Sequence, residues 1–318
     1  MSQLSIIIPV YKNQDSLGEL VQQLKEMNKK TKTDFEVVFV VDGSPDQSYS
    51  VLTQLLPACG FRSQLLLLSR NFGSFAAIRA GLQAAVGPFF AVMAADLQES
   101  VELPFQFFER LKLGKADIVF GKRNRRSDPF FSALFSQLFW FLYRTSVQKE
   151  MPEGGIDVFG CNQVVRNQIL ILEESNTTLV GLLLWVGFQR DFVLYDRWAR
   201  VHGKSAWSLK RKIRYLLDSC FAFSDLPIRL LSLVGLGGMG LAVLLGCVIL
   251  FARLTGSIGV PGYSALASLI LFFGGLNAFG LGILGEYLWR TFENTKKRPN
   301  FIVYKKQEYE GARKEGRP

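Results

Sequence analysis

Before Lys122 the chain repeats runs of apolar, largely β-branched residues of strand length: LSIIIPV, FEVVFVV, QLLLLS, PFFAVMA and ADIVFG. Between several of them lie stretches with the spacing of an amphipathic helix, SLGELVQQLKEM and FAAIRAGLQAAV. Alternation of this kind predicts an α/β domain, a mostly parallel sheet with helices on its faces. Such sheets bind ligands at the carboxyl ends of their strands. The polar residues gather there: Tyr11 to Asp15, Asp42 to Asp46, Ser69 to Asn71, Asp96 to Glu99 and Lys122 to Arg126.

The pattern changes in the second half. DPFFSALFSQLFWFLYRT, from Asp128, has a capping Asp, a Pro suited to a first helical turn and an aromatic run too short to span a bilayer. It reads as an interfacial helix over about 128–145, or as a buried core helix. WSLKRKIRYLLDSCFAF places Ile213, Leu216, Leu217, Cys220 and Phe221 at helical spacing behind a basic cluster, giving a second interfacial helix over about 207–223. Two uncharged runs follow, LLSLVGLGGMGLAVLLGCVILFA and YSALASLILFFGGLNAFGLGILG, joined by the turn-rich GSIGVPG. At about 1.5 Å per residue each reaches roughly 35 Å as a helix, enough to cross a bilayer core. They are expected to form a transmembrane hairpin.

Composition and charge sharpen this picture. The 318 residues are 49% hydrophobic and 13% aromatic, with a mean hydropathy of +0.19, too apolar for an ordinary soluble enzyme. Lys204, Lys210, Arg211, Lys212, Arg214 and Arg229 precede the hairpin, and Arg290, Lys296, Lys297 and Arg298 follow it, whereas the connection offers Arg253. By the positive-inside rule both termini face the cytosol of a plasma membrane. MSQLSIIIPVY lacks a basic leader and reads as a strand rather than a cleavable signal. The net charge of +10 lies largely around the membrane segments, which disfavours a nucleic-acid partner. Gly238, Ala242 and Gly246, like Gly274, Ala278 and Gly282, recur every four residues, a spacing that lets helices approach closely in lipid and favours a homo-oligomer.

Cysteine and histidine exclude several chemistries. Cys59, Cys161, Cys220 and Cys247 have no paired spacing, and His202 is the single histidine, so a His-rich zinc site is excluded. The acids point elsewhere. A lone Asp after a strand is often a turn former, but a parallel sheet would bring Asp42 and Asp96 near Arg123, Arg126, Arg200 and Lys204. Carboxylate plus cation is what a metal-bound diphosphate requires, and Mg²⁺ or Mn²⁺ often takes one or two carboxylates and fills the remainder with water and phosphate.

SIIIPVYKNQDSL, VVDGSPDQS, LSRNFGSFAAIRAGLQAA and the strand ending AADLQE resemble the successive motifs of family 2 glycosyltransferases with the GT-A, Rossmann-like fold. FGKRNRR, GGIDVFGCNQVVRN, ARVHGKSAWSL and FSDLPIRL before two spans are similar to the polyisoprenyl-phosphate glycosyltransferases of the GtrB type, relatives of dolichyl-phosphate mannose synthase. The resemblance covers nearly the whole chain. It implies that Pro9, Tyr11 and Asp42 hold the nucleoside, that Asp96 and Gln98 stand at a divalent cation and the diphosphate, and that Asp157 is catalytic. It also implies that Arg123, Arg126, Arg200 and Lys204 face phosphates, with UDP-glucose as first donor and a polyprenyl phosphate as acceptor. Three positions depart from the family pattern: Ala94 replaces the first acid of Asp-x-Asp, Val41 replaces one of the paired acids before Gly-Ser, and Lys12 sits where Asn is frequent.

The expected organisation is a cytosolic domain over 1–225, two membrane helices over 226–290 and a basic, partly disordered tail over 291–318. Two other functions stay open: a glycan-polymerising synthase of similar core, which usually needs more membrane helices, and a non-catalytic nucleotide-sugar-binding scaffold, made available by Ala94.

Overall fold

The apolar runs of the first half become neighbouring strands in the computed structural model, which describes residues 2–124, 151, 156–174, 176–198, 217–255 and 262–311. In chain order the elements are β1 (Leu4–Val10), α1 (Gln14–Lys30), β2 (Phe35–Val41), α2 (Ser48–Leu55), β3 (Arg62–Leu68), α3 (Ser74–Ala84), β4 (Phe89–Val92), α4 (Leu103–Lys112) and β5 (Ile118–Arg123). There follow β6 (Phe159–Asn162), α5 (Gln163–Ile171), α6 (Leu179–Trp185), β7 (Arg190–Tyr195), α7 (Leu226–Leu254), α8 (Tyr263–Thr295) and β8 (Val303–Tyr309). Residues 217–223 are helical as well.

The strands form one sheet in the order β7-β5-β6-β4-β1-β2-β3-β8. β1 runs parallel to β2 and β4, β2 to β3, and β5 to β7. β6 is antiparallel to both β4 and β5, which leaves β5 pointing the same way as β4. The carboxyl ends of β1 to β5 and β7, and the start of β6, therefore share one edge. The mostly parallel α/β sheet expected from the alternation is present.

Both faces are covered, as a sheet of this kind requires. Ile6, Ile8 and Val10 point to the side where Leu17, Leu20 and Leu24 of α1 and Phe105, Phe107 and Phe108 of α4 are buried. Ile7, Val38 and Val40 point to the other, against Ala77 and Ile78 of α3, Val165 and Ile169 of α5 and Leu182 to Leu184 of α6. This is the two-residue alternation of a strand realised on two cores. At Gly81 a Cβ would lie 2.4 Å from Ile7, so α3 packs against the sheet at a distance that only glycine permits.

The end of the chain differs from the expected tail. Val303–Tyr309 returns to the sheet and pairs antiparallel with β3, with a register shift at Leu67/Leu68. β3 would otherwise be an open edge with unpaired backbone groups. Because β8 is itself an edge strand, its Tyr304, Lys305 and Lys306 stay exposed, and so its sequence reads as polar. The Ser69 amide also donates to the Ile302 carbonyl at 3.0 Å, tying the loop after β3 to the approach to β8.

Residues 226–245, within α7, are long and apolar enough to cross a membrane, with a mean hydropathy of 2.0 and none of the window buried. The second expected span is the 33-residue α8, whose Phe272, Phe279, Leu281 and Leu288 are exposed. A Cβ on Gly238 would sit 3.8 Å from Phe273 of α8, so α7 approaches α8 at that glycine, whereas Gly274 and Gly282 of α8 have no such neighbour. The proposed helix at 128–145 lies outside the described residues, as does the first part of that at 207–223.

Arg290 fastens α8 to the domain. Its guanidinium donates to Asp218 at 2.9 Å, to Glu286 at 2.8 Å and to the Asn176 carbonyl at 3.2 Å. It also lies over the Phe221 ring, 5.0 Å from the centroid. Phe223 rests against Gly181 of α6, so the helical residues 217–223 are wedged between the sheet domain and the end of α8.

Candidate active site

The carboxyl edge carries two distinct clusters. The first lies over β1, β2 and β3 and is built on backbone. Asp42 follows β2 and is 2% exposed. Its oxygens accept from the amides of Phe72 at 2.7 Å and Gly73 at 2.8 Å, which pins the loop after β3. Gly43 makes this approach possible: it has φ of +53°, and a Cβ there would lie 2.2 Å from the Arg70 carbonyl carbon.

Asp46 ties the loop after β2 to the loop after β1. It accepts from the Ser44 hydroxyl at 2.6 Å, the Ser48 hydroxyl at 2.9 Å and the Gln14 amide at 3.2 Å. Ser44 in turn accepts from the Lys12 amide at 2.8 Å. Burial pushes the Asp46 carboxyl up, but these hydrogen bonds from Ser44, Ser48 and the backbone more than offset it, so its pKa is held below the usual carboxylate value. Pro9 and Tyr11, at the end of β1, are half-buried at this cluster.

The second cluster lies over β4 to β7 and is built from side chains. A left-handed turn at Leu97, with φ of 58°, buries Leu97 and presents Asp96 and Gln98 at the edge. Gln98 is clasped by the segment after β7. The Trp198 amide donates to the Gln98 carbonyl at 2.9 Å, Gln98 Nε2 donates to the Trp198 carbonyl at 3.2 Å, and Arg197 Nη2 donates to Gln98 Oε1 at 2.6 Å.

Asp157, just before β6, sits between two guanidiniums. Its Oδ2 accepts from Arg123 Nε at 2.6 Å and from Arg123 Nη2, and from Arg197 Nη1 and the Tyr195 hydroxyl at 3.4 Å each. Burial pulls the Arg123 pKa down, but Asp157 and Tyr195 outweigh it and hold the group above its ordinary value. Burial, then Asp157 and Glu99, push the Tyr195 phenol well up.

Glu99 lies beneath this cluster, 1% exposed, with neither oxygen in a hydrogen bond of normal geometry. Burial first, then the charges of Asp96 and Asp157, push its carboxyl up to about 7, while Arg197 and the nearby Ala94 amide pull the other way. Arg197 Nε, also without a partner, is 3.9 Å from Glu99 Oε1.

The two clusters are joined where Ser16, at the start of α1, donates to the Ala95 carbonyl at 2.7 Å. Of the residues singled out by sequence, Asp96, Gln98, Arg123 and Asp157 come together, and Pro9, Tyr11 and Asp42 lie at the other cluster. Asp42 is turned inward, its carboxylate committed to two backbone amides. Arg126, Arg200 and Lys204 lie outside the described residues. Arg197 and Tyr195 were not singled out, and Asp46 and Glu99 were seen only as parts of polar stretches. Arg197 could have been found, since it falls two residues beyond the alternating RDFVLY, at the edge where ligands bind.

Asp96 and Gln98 fit a divalent cation as a small oxygen set, one carboxylate and one amide carbonyl. Among the described residues no three His, Cys, Asp or Glu side chains gather as a metal cage. The donor set suits Mg²⁺ or Mn²⁺, which fill their remaining positions with water and substrate phosphate.

An open sheet with charged side chains converging on its carboxyl edge defines the class: an α/β enzyme that works at the ends of its parallel strands. Residues 5–171 match the pattern of glycosyl transferase family 2, and the chain belongs to that family. It is 32% identical to YkcC, an uncharacterized glycosyltransferase of Bacillus subtilis (strain 168), over 98% of this chain and 96% of that one. It is 30% identical to a prophage bactoprenol glucosyl transferase homolog of Escherichia coli (strain K12), over 94% of this chain and 98% of that one. It is likewise 30% identical to the SfII prophage-derived bactoprenol glucosyl transferase of Shigella flexneri, over 95% and 97%. The solved glucosyl-3-phosphoglycerate synthase of Mycobacterium tuberculosis, in complex with Mn²⁺ and uridine-diphosphate-glucose, is similar at 15% identity with a TM-score of 0.48. That match covers 70% of this chain and 80% of that one and is too distant to carry a ligand across.

Proposed function

We propose that the protein transfers a hexose, glucose from UDP-glucose first, to a polyprenyl phosphate at the cytosolic face of the plasma membrane, with inversion at the anomeric carbon. The observation that carries this reading is the likeness to bactoprenol glucosyl transferases along almost the whole chain, including the stretch that holds the membrane-length helix α7. In this reading 1–225 is the cytosolic domain, α7 and α8 span the bilayer with both termini cytosolic, and copies assemble through the hairpin. β8 then belongs with the domain rather than with a free tail.

The backbone-built cluster at Pro9, Tyr11 and Asp42 receives the nucleoside, with Asp42 shaping the loop that closes over it. Asp96 and Gln98 would hold a divalent ion, whose chemistry is to neutralise charge developing on the departing diphosphate. Arg123, fixed by Asp157, adds a preorganised positive charge at the same place. Arg126, Arg200 and Lys204 are assigned to the acceptor phosphate.

The acceptor needs little deprotonation. A phosphate monoester has a second pKa of about 6, so most of it is dianionic at cytosolic pH. Asp157 therefore acts chiefly by orienting: Arg123, Arg197 and Tyr195 all bind its Oδ2, and among the described residues none reaches Oδ1. Arg290, which joins α8 to the domain, holds the site at a fixed height over the headgroups.

The test is full-length protein in nanodiscs with a panel of radiolabelled nucleotide sugars and undecaprenyl phosphate. Glucose extracted into the organic phase as a lipid phosphate ester is the expected result. Donor binding with no lipid-linked product would assign the chain to the non-catalytic alternative.

A further inference from the structure

Gln98 Oε1 is the only oxygen of its side chain, and it accepts from Arg197 Nη2 at 2.6 Å. Ligation brings a small divalent ion such as Mg²⁺ to within about 2.0–2.1 Å of such an oxygen. Oε1 has a second lone pair, but a guanidinium held 2.6 Å from it repels a divalent cation on the same atom, so Arg197 competes with ligation. Withdrawal of Arg197 leaves Gln98 the stronger ligand.

The surroundings limit where the guanidinium can go. The backbone around Arg197 is anchored, because Trp198 exchanges hydrogen bonds with the Gln98 carbonyl and side-chain amide. Nη1 also reaches Asp157 at 3.4 Å, which provides a pivot. Directly beneath lies Glu99, buried, with neither oxygen in a hydrogen bond of normal geometry and only the Ala94 amide nearby, and Arg197 Nε, without a partner, is 3.9 Å from it. A buried carboxylate without hydrogen bonds is costly, and that cost is relieved when a partner arrives.

We propose that Arg197 is a latch on the cation site: its guanidinium holds Gln98 Oε1 and transfers to the Glu99 carboxylate when cation and diphosphate bind. The exchange turns the 3.9 Å approach into a charge-assisted hydrogen bond, frees Gln98 and keeps the guanidinium beside Asp157. Arg197 and Glu99 are thus positioning residues, acting through Gln98 and Asp157. This inference rests on the reading of Asp96 and Gln98 as the cation's ligands.

The experiment is a Mn²⁺ titration of full-length protein in nanodiscs, with free Mn²⁺ followed by EPR, without nucleotide and with saturating UDP. Arg197→Lys keeps the charge but loses the planar fork that spans Gln98 and Asp157. Without UDP it is expected to bind Mn²⁺ about tenfold more tightly than wild type, with a smaller difference once UDP is present. Glu99→Gln removes the anionic receptor and is expected to weaken Mn²⁺ binding about fivefold. Unchanged or weaker binding by Arg197→Lys, or unchanged binding by Glu99→Gln, overturns the latch.

Asp96→Asn separates the two readings. Wild-type Mn²⁺ affinity in that variant refutes Asp96 and Gln98 as the cation site. Loss of binding there, with Arg197→Lys unchanged, refutes the latch alone. A structure with UDP and Mn²⁺ decides without any variant: Arg197 Nε within about 3 Å of Glu99 supports the exchange, and Arg197 still seated on Gln98 overturns it.

Discussion

The two halves of the carboxyl edge hold their acids in opposite ways. Over β1 to β3, Asp42 ends on the amides of Phe72 and Gly73, and Asp46 on hydroxyls and amides of neighbouring loops. Over β4 to β7, Asp157 and Gln98 end on the guanidiniums of Arg123 and Arg197, while Glu99 and Arg197 Nε keep unused hydrogen-bonding capacity. Carboxylates bonded to backbone cannot move without moving the loop. Side-chain pairs can exchange partners by changing rotamers. In the proposed reading the first half gives the nucleoside a rigid seat, and the second can rearrange around the diphosphate and acceptor.

Substitutions should therefore break the halves differently. The largest effect is expected from Asp157→Ala, which leaves Arg123 and Arg197 facing each other without their shared anion. Transfer is expected to fall by about 10²-fold or more in kcat, with the melting temperature little changed. An unchanged rate would remove Asp157 from the catalytic set. Asp42→Ala should do the reverse. It strands two half-buried amides and costs about 1–2 kcal/mol of stability, read as a lower melting temperature, with kcat per folded molecule nearly intact. A normal melting curve with a raised donor KM would instead mean that Asp42 contacts the nucleoside directly.

The smallest effect concerns acid. The folded-state pKa of Asp46 is depressed by its hydrogen bonds, so its contribution is complete above the unfolded value of about 3.9 and is lost as pH falls through the folded one. Asp46→Asn should flatten the acid limb of a stability–pH curve while leaving the neutral plateau only slightly lower. An identical acid limb in wild type and variant would show that the Asp46 network is not held in solution.

Legibility in the sequence followed from burial. β1 to β5 carry apolar runs because both faces of the sheet are covered, and those runs are visible without a structure. β6 is a four-residue strand inserted between β4 and β5, too short to produce a period. β7 alternates over only six residues, and Phe192 and Leu194 put apolar side chains on its exposed face, so RDFVLY shows no clean apolar-in, polar-out period. β8 is an edge strand rich in Lys and Glu, and its pairing with β3 spans more than two hundred residues, so nothing local announces it.

The site divides in the same way. Asp96, Gln98 and Arg123 were readable because they follow recognisable strands. Arg197 was not, because its strand was not recognised and its partners Gln98 and Asp157 lie far away in sequence. The inward turn of Asp42 depends on amides thirty residues on, which no motif records.

Formation of lipid-linked glucose before and after exhaustive chelation, with Mg²⁺ or Mn²⁺ added back, bears most directly on the central claim that Asp96 and Gln98 hold a cation at the leaving diphosphate. Wild-type turnover is expected to vanish with chelator and to return with either ion, and Asp96→Asn to remain inactive under both conditions. Full turnover by the chelated wild-type protein would contradict the claim.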